Sequence, residues 1–576
     1  MPRRRFQAAA LCLVAFLGIA VAWASWRERA STQVSSGSGP QYGGTLVFLT
    51  ERSREKPPGW DVEEAASASA MVYVNPYEEY LLGVDVQRYG PRGTNEFPFA
   101  MAEEEVPEKY LKGMLAEGWE VTTKPLGVTF HIRKGVMWTG NPRIGMAQRE
   151  FTAQDAAFVL NRYSQGKQAS KISQFIAPNT FRAIDRYTLR VDFTRYNASW
   201  AWLIGYALYS PMYPPEVVKA GARDWRNAVG TGPFILSKYV QGSYVSYRRN
   251  PNWWNRDQVI DGKMRRVPFI AELVFPLVTS LATQLAAIRT GQVDIATAVP
   301  TVNLSSLRTT PMHIRELPSG RVMQLLFNST RGPERDRAFR RAIIIAINEQ
   351  AIVDAVMPGG TTGGSPFSRY LGNTLFTPIE QMPRDTAELY GHDSDAARRM
   401  IERGGYKGVD FPIYYSNADG RAAQGAALMA DQLTRIGIKP ILTPTEPAIL
   451  GKYQTTDTSW EGMLIWFASN SKIGRGVDNL RSLPYTSYHQ DRGHNDRMNA
   501  IMAITDGNAR DALLKKEAVY MIDQAGVVAV GEEPVLTVWW PWVKNYHGEV
   551  EAGFNNYNPM FSTLWIDAGE KAKMGY

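Results

Sequence analysis

The stretch of this sequence that comes nearest to a metal site is YHQDRGHND, in which His489 and His494 lie beside Asp491 and Asp496. Imidazole and carboxylate groups together can ligate zinc or nickel. The two histidines are five residues apart, however, which is not the spacing that places two ligands on one helix face. The stretch is also polar throughout. We therefore predict a solvated loop there and no metal site.

Other stretches contain residue types that catalysis uses. Glu103, Glu104 and Glu105 are consecutive, so they cannot all face one cleft, whereas a glycosidase needs two carboxylates about 5 to 10 Å apart. The glycines of GGTTGGS (359–365) lack the lysine and the preceding strand of a phosphate-binding loop. A Gly-x-Ser-x-Gly elbow after a strand is also missing. We predict no catalytic residues, no cofactor and no enzymatic activity.

The sequence is instead rich in large aromatic side chains, with 16 Trp and 27 Tyr. Such residues usually fill hydrophobic cores. A cleft lined by aromatic rings and a few polar groups is, however, the usual way in which a binding protein holds a small ligand. The basic residues are scattered and form no stripe between stacking aromatics, which argues against nucleic-acid binding. The composition therefore favours binding of a small solute.

The elements that must position these side chains alternate between helix and strand. Two stretches contain an amphipathic helix, a glycine and a short β-branched strand: SLATQLAAIRTGQVDIATAVP with Gly291, and GAALMADQLTRIGIKPILTP with Gly437. Thr152 and Asp155 predict a capping box at the start of another helix, and DRAFRRAIIIAINEQAIVDAVM predicts one long, mostly buried helix. Because 576 residues exceed the size of a single core, about 250 to 300 residues, we expect two or three α/β lobes with a partly parallel sheet.

The first residues have the pattern of a targeting segment. Three arginines in MPRRR precede an apolar run that ends in AWA, as in a secretory signal peptide spanning 1–24. The run is also just long enough to stay as a single membrane anchor, which is the alternative interpretation. Residues 25–41 are rich in Ser and Gly and predict a flexible linker. The single cysteine, Cys12, lies in the apolar run, so we expect a periplasmic mature chain without disulfides.

The stretch VGTGPFILSKYVQGSYVSYRRNPNWWN (229–255) resembles the signature of bacterial extracellular solute-binding proteins of family 5. These are the oligopeptide, dipeptide and nickel receptors of ABC importers. Other landmarks follow in the order of the family, among them VTFHIRKGVMWTG, FTAQDAAFVLNRY and LLFNSTRGPERDRAFRRAIIIAINEQAIVDAVMPGG. The resemblance extends over roughly residues 42–548.

The resemblance implies an α/β fold of the two-lobed periplasmic-binding-protein type (type II, cluster C), with an extra subdomain on the N-terminal lobe. Two strands would cross between the lobes, near 271–279 and near 527–536. A solute would be captured between the lobes, which close about this hinge, and the monomeric receptor would deliver it to the permease subunits of an ABC importer. The predicted boundaries are 42–58, 185–278 and 530–576 for lobe I, 59–184 for the extra subdomain and 279–529 for lobe II.

The ligand class depends on one segment. In peptide-binding relatives, a tryptophan followed by an aspartate supplies the carboxylate that holds the amino terminus of the peptide. Here Trp466 and Phe467 are followed by Ser469 and Asn470 where the acid is expected, which removes a charge-assisted hydrogen bond worth ~1.5 to 3 kcal/mol. We predict these four residues as ligand contacts. The family implies a peptide-like or other small polar solute, whereas the neutral pair favours an uncharged solute such as an oligosaccharide.

Three further residues are candidate ligand contacts: Glu51 and Trp60, which follow the first strand, and Asn328 in the Phe-Asn turn. For each of them, a role in packing or in turn formation is at least as strongly expected as ligand contact. A shifted alignment would place the missing acid at Asp478. The adjacent tryptophans of NPNWWN belong to a landmark shared by members with different ligands, so we predict that they pack a turn of lobe I. The rival hypothesis, a secreted glycan hydrolase with an aromatic cleft, requires a carboxylate pair that we do not find.

Overall fold

A computed structural model describes most of the chain after the predicted signal segment. The residues described are 39–54, 56–65, 67–100, 105–207, 210–364, 367–369, 375–455, 457–469 and 491–576. The predicted signal peptide, most of the predicted linker, Cys12, Asn470, Asp478 and His489 lie outside these ranges. No helix within the ranges is long and apolar enough to span a bilayer.

Within the described ranges, one mixed sheet of eleven strands extends through both lobes. The strands of this sheet are β1 (Thr45–Leu49), β8 (Phe234–Val240), β9 (Tyr244–Arg249), β12 (Glu272–Pro276), β13 (Ile295–Pro300), β14 (His313–Phe327), β15 (Thr361–Gly364), β16 (Asp410–Ser416), β17 (Lys439–Thr445), β18 (Met463–Ser469) and β19 (Val527–Trp539). Their order across the sheet is β17-β16-β18-β14-β19-β13-β1-β12-β9-β8, and β15 pairs with β19. The other strands are β2 (Leu82–Val84), β3 (Leu111–Gly113), β4 (Ala116–Thr123), β5 (Leu126–Ile132), β6 (Phe181–Ala183), β7 (Thr188–Asp192), β10 (Asp257–Ile260), β11 (Lys263–Arg266), β20 (Val543–Lys544) and β21 (Trp565–Ile566).

Helices cover this sheet in both lobes. The helices of the described residues are α1 (Val62–Ala65), α2 (Ala68–Val74), α3 (Val86–Tyr89), α4 (Ala153–Gln165), α5 (Pro215–Ala220), α6 (Leu281–Arg289), α7 (Leu304–Leu307), α8 (Arg337–Ala346), α9 (Glu349–Val356), α10 (Arg384–Ala387), α11 (Ser394–Arg403), α12 (Gly420–Arg435), α13 (Pro447–Thr455), α14 (Arg492–Met502), α15 (Gly507–Asp523), α16 (Asn558–Phe561) and α17 (Ala568–Lys573). In lobe II, α8, α9, α11 and α12 contribute to a core with β14, β16, β18 and β19. Lobe I has a separate and larger core.

The extra subdomain of lobe I is built on an antiparallel sheet in the order β4-β5-β7-β6, with α4 packed beside it. Its buried residues, such as Phe130 and Leu160, belong to the same continuous core as the lobe I strands. The sheet continues to Asp192, past the predicted end of the subdomain at residue 184. The subdomain therefore packs as an extension of lobe I.

The two strands that connect the lobes are β14 and β19, which pair antiparallel along most of their length. Their pairing shifts register between Pro318 and Arg321, where the chain passes from one lobe to the other. The predicted second crossing coincides with β19. The predicted first crossing at 271–279 is wrong, because β12 pairs inside lobe I with β1 and β9. Ile288 and Leu307 also pack into the core of lobe I, so lobe II begins near Pro318 and not at 279.

The structure confirms the predicted capping box and the predicted glycines after two helices. The Thr152 N–H donates to Asp155 at the start of α4, as the capping box requires. Gly291 and Gly437 follow their helices with φ of 68° and 90°, in the left-handed region that glycine adopts without strain.

The predicted long helix in lobe II is wrong, because two helices occupy that stretch. The first, α8, ends at Ala346, and the second, α9, begins at Glu349. Asn348 is the N-cap of α9 and accepts a hydrogen bond from the Ala351 N–H at 2.9 Å. A side chain that satisfies the first turn of a new helix competes with continuation of the old one, which explains the break.

Candidate functional site

The parallel strands of both lobes end at the crossing. In lobe I, β1 is parallel to β12 and to β13, and Pro300 at the end of β13 pairs with Val535 of β19. In lobe II, β16 is parallel to β17 and to β18, and Ser469 at the end of β18 pairs with Arg321 of β14. Ligands of open α/β sheets bind outside the carboxyl ends of the strands. The candidate site therefore lies between the lobes, next to the crossing.

The crossing strands are joined by side-chain hydrogen bonds where their register shifts. The Ser319 hydroxyl donates to the Glu533 carbonyl oxygen at 2.5 Å and accepts from the Arg321 N–H at 2.8 Å. Gly320 has a φ of 64°, in the left-handed region. A backbone that leaves regular pairing at a serine and a left-handed glycine provides the point about which two lobes can rotate.

Two adjacent acids of β19 lie at this point on opposite faces of the sheet. Glu532 accepts a hydrogen bond from the Ser368 hydroxyl at 2.5 Å and one from the Arg369 N–H at 3.3 Å, and burial raises its pKa. Glu533 pairs with Arg421 at 2.5 Å, and burial raises its pKa against the charge of that arginine. Neighbouring residues of a strand point to opposite faces, so these carboxylates cannot flank one glycosidic bond.

The predicted contacts Trp466 and Phe467 lie on β18, within three residues of its end at the crossing. The guanidinium of Arg421 is 4.8 Å from the centre of the Phe467 ring, and the same arginine pairs with the N-cap Asp419 of α12. The Trp466 ring packs beside Leu464 and Trp460. The structure describes the backbone of Ser469 at the end of β18 but not its side chain, and Asn470 lies outside the described residues.

The other three candidates are dispersed. Glu51 begins a short 3₁₀ helix directly after β1, at the carboxyl edge that faces the crossing, although only its backbone is described. Trp60 is 8% exposed in the core of lobe I, with its ring centre 5.4 Å from that of Tyr239.

Asn328 lies beyond the opposite end of the lobe II sheet. Its amide donates to the Trp460 and Thr458 carbonyl oxygens at 2.6 and 3.0 Å, and its Oδ1 accepts from Thr330. These contacts give Asn328 a structural role in the turn.

One edge of β18 is unpaired near the crossing. On one side, all seven residues of β18 pair with β14. On the other side, among the described residues, only Met463 and Leu464 pair with β16. Residues 465–469 therefore present backbone N–H and C=O groups that another extended chain can pair with.

The histidine stretch is not a loop where it is described. His494 lies in α14, is fully buried, and its Nδ1 is 2.7 Å from a carboxylate oxygen of Glu517. The ring also stacks on Tyr520. The prediction of a solvated loop is wrong here, because the apolar neighbours Met498 and Met502 bury one side of the helix. In the part of the chain that the structure describes, no group of three or more His, Cys, Asp or Glu residues is placed to hold a metal ion.

The family model for bacterial extracellular solute-binding proteins, family 5 Middle, matches residues 111–491. The chain belongs to this family. The matched range contains the NPNWWN landmark, the Phe-Asn turn, β14 and β18. The predicted family, its solute-binding function and the two-lobed α/β fold are thereby confirmed.

Curated and solved relatives agree with this membership. The chain is 24% identical over 464 residues to heme-binding protein A of Haemophilus influenzae, covering 75% of this chain and 81% of that protein. It is 22% identical over 473 residues to the dipeptide-binding protein of Escherichia coli, covering 75% and 83%. A dipeptide-binding protein from Pseudoalteromonas in complex with Met-Leu superposes with a TM-score of 0.69 at 19% identity, over 91% of this chain and 100% of that one.

The landmark tryptophans of this family 5 member do not face the crossing. Trp253 and Trp254 both donate their indole N–H to the carboxylate of Glu79, at 3.0 and 2.9 Å. Trp253 also packs in a small cluster with Val267 and Phe269. The structure therefore confirms the prediction that the pair packs a turn of lobe I.

The sequence analysis did not predict Gly320, Arg421, Glu532 or Glu533 as residues of the crossing. Two signals were present. The acids stand in VVAVGEEPVLTVWW, where charge interrupts an otherwise apolar strand, and Gly320 stands in PSGRV, where proline and glycine interrupt another. A charged or kinked position inside a buried strand is a departure from local rules that often indicates a functional position.

Proposed function

We propose that this chain is the extracytoplasmic receptor of an ABC importer, which captures a peptide-like solute between its two lobes and delivers it to the permease. The observation that carries the proposal is the edge of β18 at 465–469, which no described strand pairs with, next to the crossing strands and the carboxyl ends of both sets of parallel strands. An extended peptide can add to such an edge as a further strand. Recognition through the ligand backbone then tolerates varied side chains.

Closure of the lobes would follow from contacts that the solute makes with both of them. A ligand shifts an open-closed equilibrium only by its difference in affinity for the two states. Lobe II offers β18, and lobe I offers the segment after β1 that begins at Glu51. The register shift at Ser319 and Gly320 is where the backbone would rotate. The N-terminal targeting pattern supports export to the periplasm, beside the permease.

Relatives named for different ligands support a solute-binding role without fixing one solute. They include the dipeptide-binding protein of Escherichia coli and heme-binding protein A of Haemophilus influenzae. A periplasmic EDTA-binding protein also superposes, with a TM-score of 0.70 at 17% identity over 93% of this chain and 99% of that one. The oligosaccharide alternative keeps one supporting observation, which is the aromatic ring of Trp466 three residues before the neutral Ser469.

The test is a thermal-shift and calorimetric panel of random tri- to pentapeptides against maltose and cellulose oligosaccharides. A peptide present at 100 times its Kd should stabilise the folded protein by about 2.7 kcal/mol. If the peptide pairs with the edge of β18, N-methylation of successive ligand amides should weaken binding at every second position, because alternate N–H groups point to the same side of a strand. Binding of oligosaccharides alone would overturn the peptide assignment.

A further inference from the structure

Gln324 of β14 and Trp466 of β18 are direct cross-strand neighbours and share one face of the sheet. Gln324 is fully buried. Among the described residues, neither its Oε1 nor its Nε2 has a hydrogen-bond partner, and the buried indole Nε1 of Trp466 has none either. A buried polar group left without a partner costs about 1 to 3 kcal/mol. Three such atoms on adjacent residues form an arrangement that packing alone does not explain.

The surroundings of this pair place it between an apolar cluster and the crossing. On the same face, Leu326 and Leu464 belong to an apolar cluster toward the far end of the lobe II sheet. In the other direction along β14, Val322 pairs with Glu532 at the crossing. The intervening residues Met323 and Leu325 point to the opposite face, into the helix-covered core. The unpartnered atoms are therefore adjacent to the candidate site.

The charged residues that the described part of the crossing places near the pair include Glu532, Glu533 and Arg421. Glu532, on the same face, accepts hydrogen bonds from the Ser368 hydroxyl and the Arg369 N–H. The ion pair between Glu533 and Arg421 lies on the face of Met323. The free groups of the pair are thus uncharged: two donor nitrogens, Gln324 Nε2 and Trp466 Nε1, and one acceptor, Gln324 Oε1.

We propose that Gln324 and Trp466 form a subsite for an uncharged amide or hydroxyl group of the bound solute. A carbonyl or hydroxyl oxygen would accept from the two N–H donors, and the amide or hydroxyl hydrogen would be donated to Gln324 Oε1. A carboxylate has no hydrogen to donate to Oε1, and an ammonium has no acceptor for the N–H groups, so this position favours a neutral group over either ion. This inference rests on the proposed function and narrows its ligand to one with a neutral group at that point.

The test uses Gln324→Leu in the full mature chain, because stability and affinity should then change in opposite directions. Removal of a buried unpartnered amide should leave the Tm of the ligand-free protein unchanged or higher. The same substitution should weaken binding of the best tripeptide with blocked ends, N-acetylated and C-amidated, by tenfold or more. Gln324→Met, which has a similar shape, provides a second variant if leucine packs poorly. Trp466→Phe keeps an aromatic ring but removes the indole N–H, so it should weaken binding of the same ligand.

The matched control is Gln284→Leu in lobe I, a buried glutamine whose Nε2 donates to the Val278 carbonyl oxygen at 2.7 Å. This control should lose stability and keep wild-type affinity. If Gln324→Leu gains stability and binds the blocked peptide as the wild type does, the subsite is overturned while the receptor function stands. If the wild type binds no peptide, blocked or free, the proposed peptide function fails first, and the subsite fails with it.

Discussion

The indole N–H of Trp254 donates to Glu79 Oε2 at 2.9 Å, although the two residues are 175 positions apart in the chain. Its neighbour Trp253 donates to the other carboxylate oxygen. Glu79 is 3% exposed, and burial raises its pKa to about 7 against the effect of the indole hydrogen bonds. Two tryptophans thus hold one buried carboxylate and fix the turn after β9 to the helical segment of lobe I that precedes Glu79.

We expect Trp254→Phe to lower stability more at pH 8 than at pH 6. At pH 8 the Glu79 carboxyl, with a pKa of about 7, is mostly ionised, and loss of a hydrogen bond to a buried charged group costs ~1.5 to 3 kcal/mol. At pH 6 it is mostly protonated, so a weaker neutral hydrogen bond is lost. Urea denaturation at both pH values measures the difference.

The control for that substitution is Trp225→Phe, since Trp225 is a partly buried tryptophan of the same lobe. Its loss of stability should be the same at both pH values. Equal losses at pH 6 and pH 8 for Trp254→Phe would mean that the indole contributes packing only.

We expect Glu63→Gln to stabilise the protein at pH 8. Glu63 is 4% exposed, neither carboxylate oxygen has a hydrogen-bond partner among the residues that the structure describes, and burial raises its pKa from 4.5 to about 7. Because the folded state favours the neutral acid, this contribution to stability is complete below pH 4.5 and is lost as the pH rises through 7. The gain of the glutamine variant should approach about 3 kcal/mol at pH 8 and be much smaller at pH 5.

Glu64→Gln is the control for that measurement, because Glu64 is exposed, pairs with Arg223 and Lys167, and has a lowered pKa. This variant should show no gain at pH 8. If the free energy of unfolding of Glu63→Gln changes with pH in the same way as that of the wild type between pH 5 and pH 8, a buried, neutral Glu63 is contradicted.

We expect Gly320→Ala to weaken solute affinity several-fold. At a φ of 64° a Cβ atom introduces strain of ~1 to 2 kcal/mol, and we expect the backbone adjustment at the crossing to change the angle between the lobes. Gly242→Ala is the matched control, since Gly242 has a φ of 69° with open space around it, in the turn between β8 and β9. Both variants should lose similar stability, and only the hinge variant should bind solute less tightly by calorimetry.

We expect Trp466→Ala to weaken binding by about 1 kcal/mol or more if its ring stacks on the solute. The Trp466 side chain is only partly buried at the end of an apolar cluster, so the loss of core packing should be modest. Calorimetric titration of the wild type and the variant with the same peptide measures the change. Unchanged affinity with a lower Tm would place the ring in the core and not at the ligand.

The sequence by itself determined the features that depend on near neighbours along the chain. The capping box of Thr152 and Asp155, the glycines that end two helices and the ordered family landmarks all appear as predicted. These are local rules, in which a side chain satisfies backbone groups a few residues away. These local features were sufficient to predict the family and the two-lobed fold.

Only the tertiary structure decided where the chain crosses between the lobes and which side chains meet there. The segment from β12 to α7 has the same helix-strand pattern as lobe II, and nothing local distinguishes the lobe on which it packs. The pairings of Trp254 with Glu79, Gln324 with Trp466 and Glu533 with Arg421 each join residues at least 112 positions apart. Such contacts depend on burial and strand register, which are set by the packing of the whole chain.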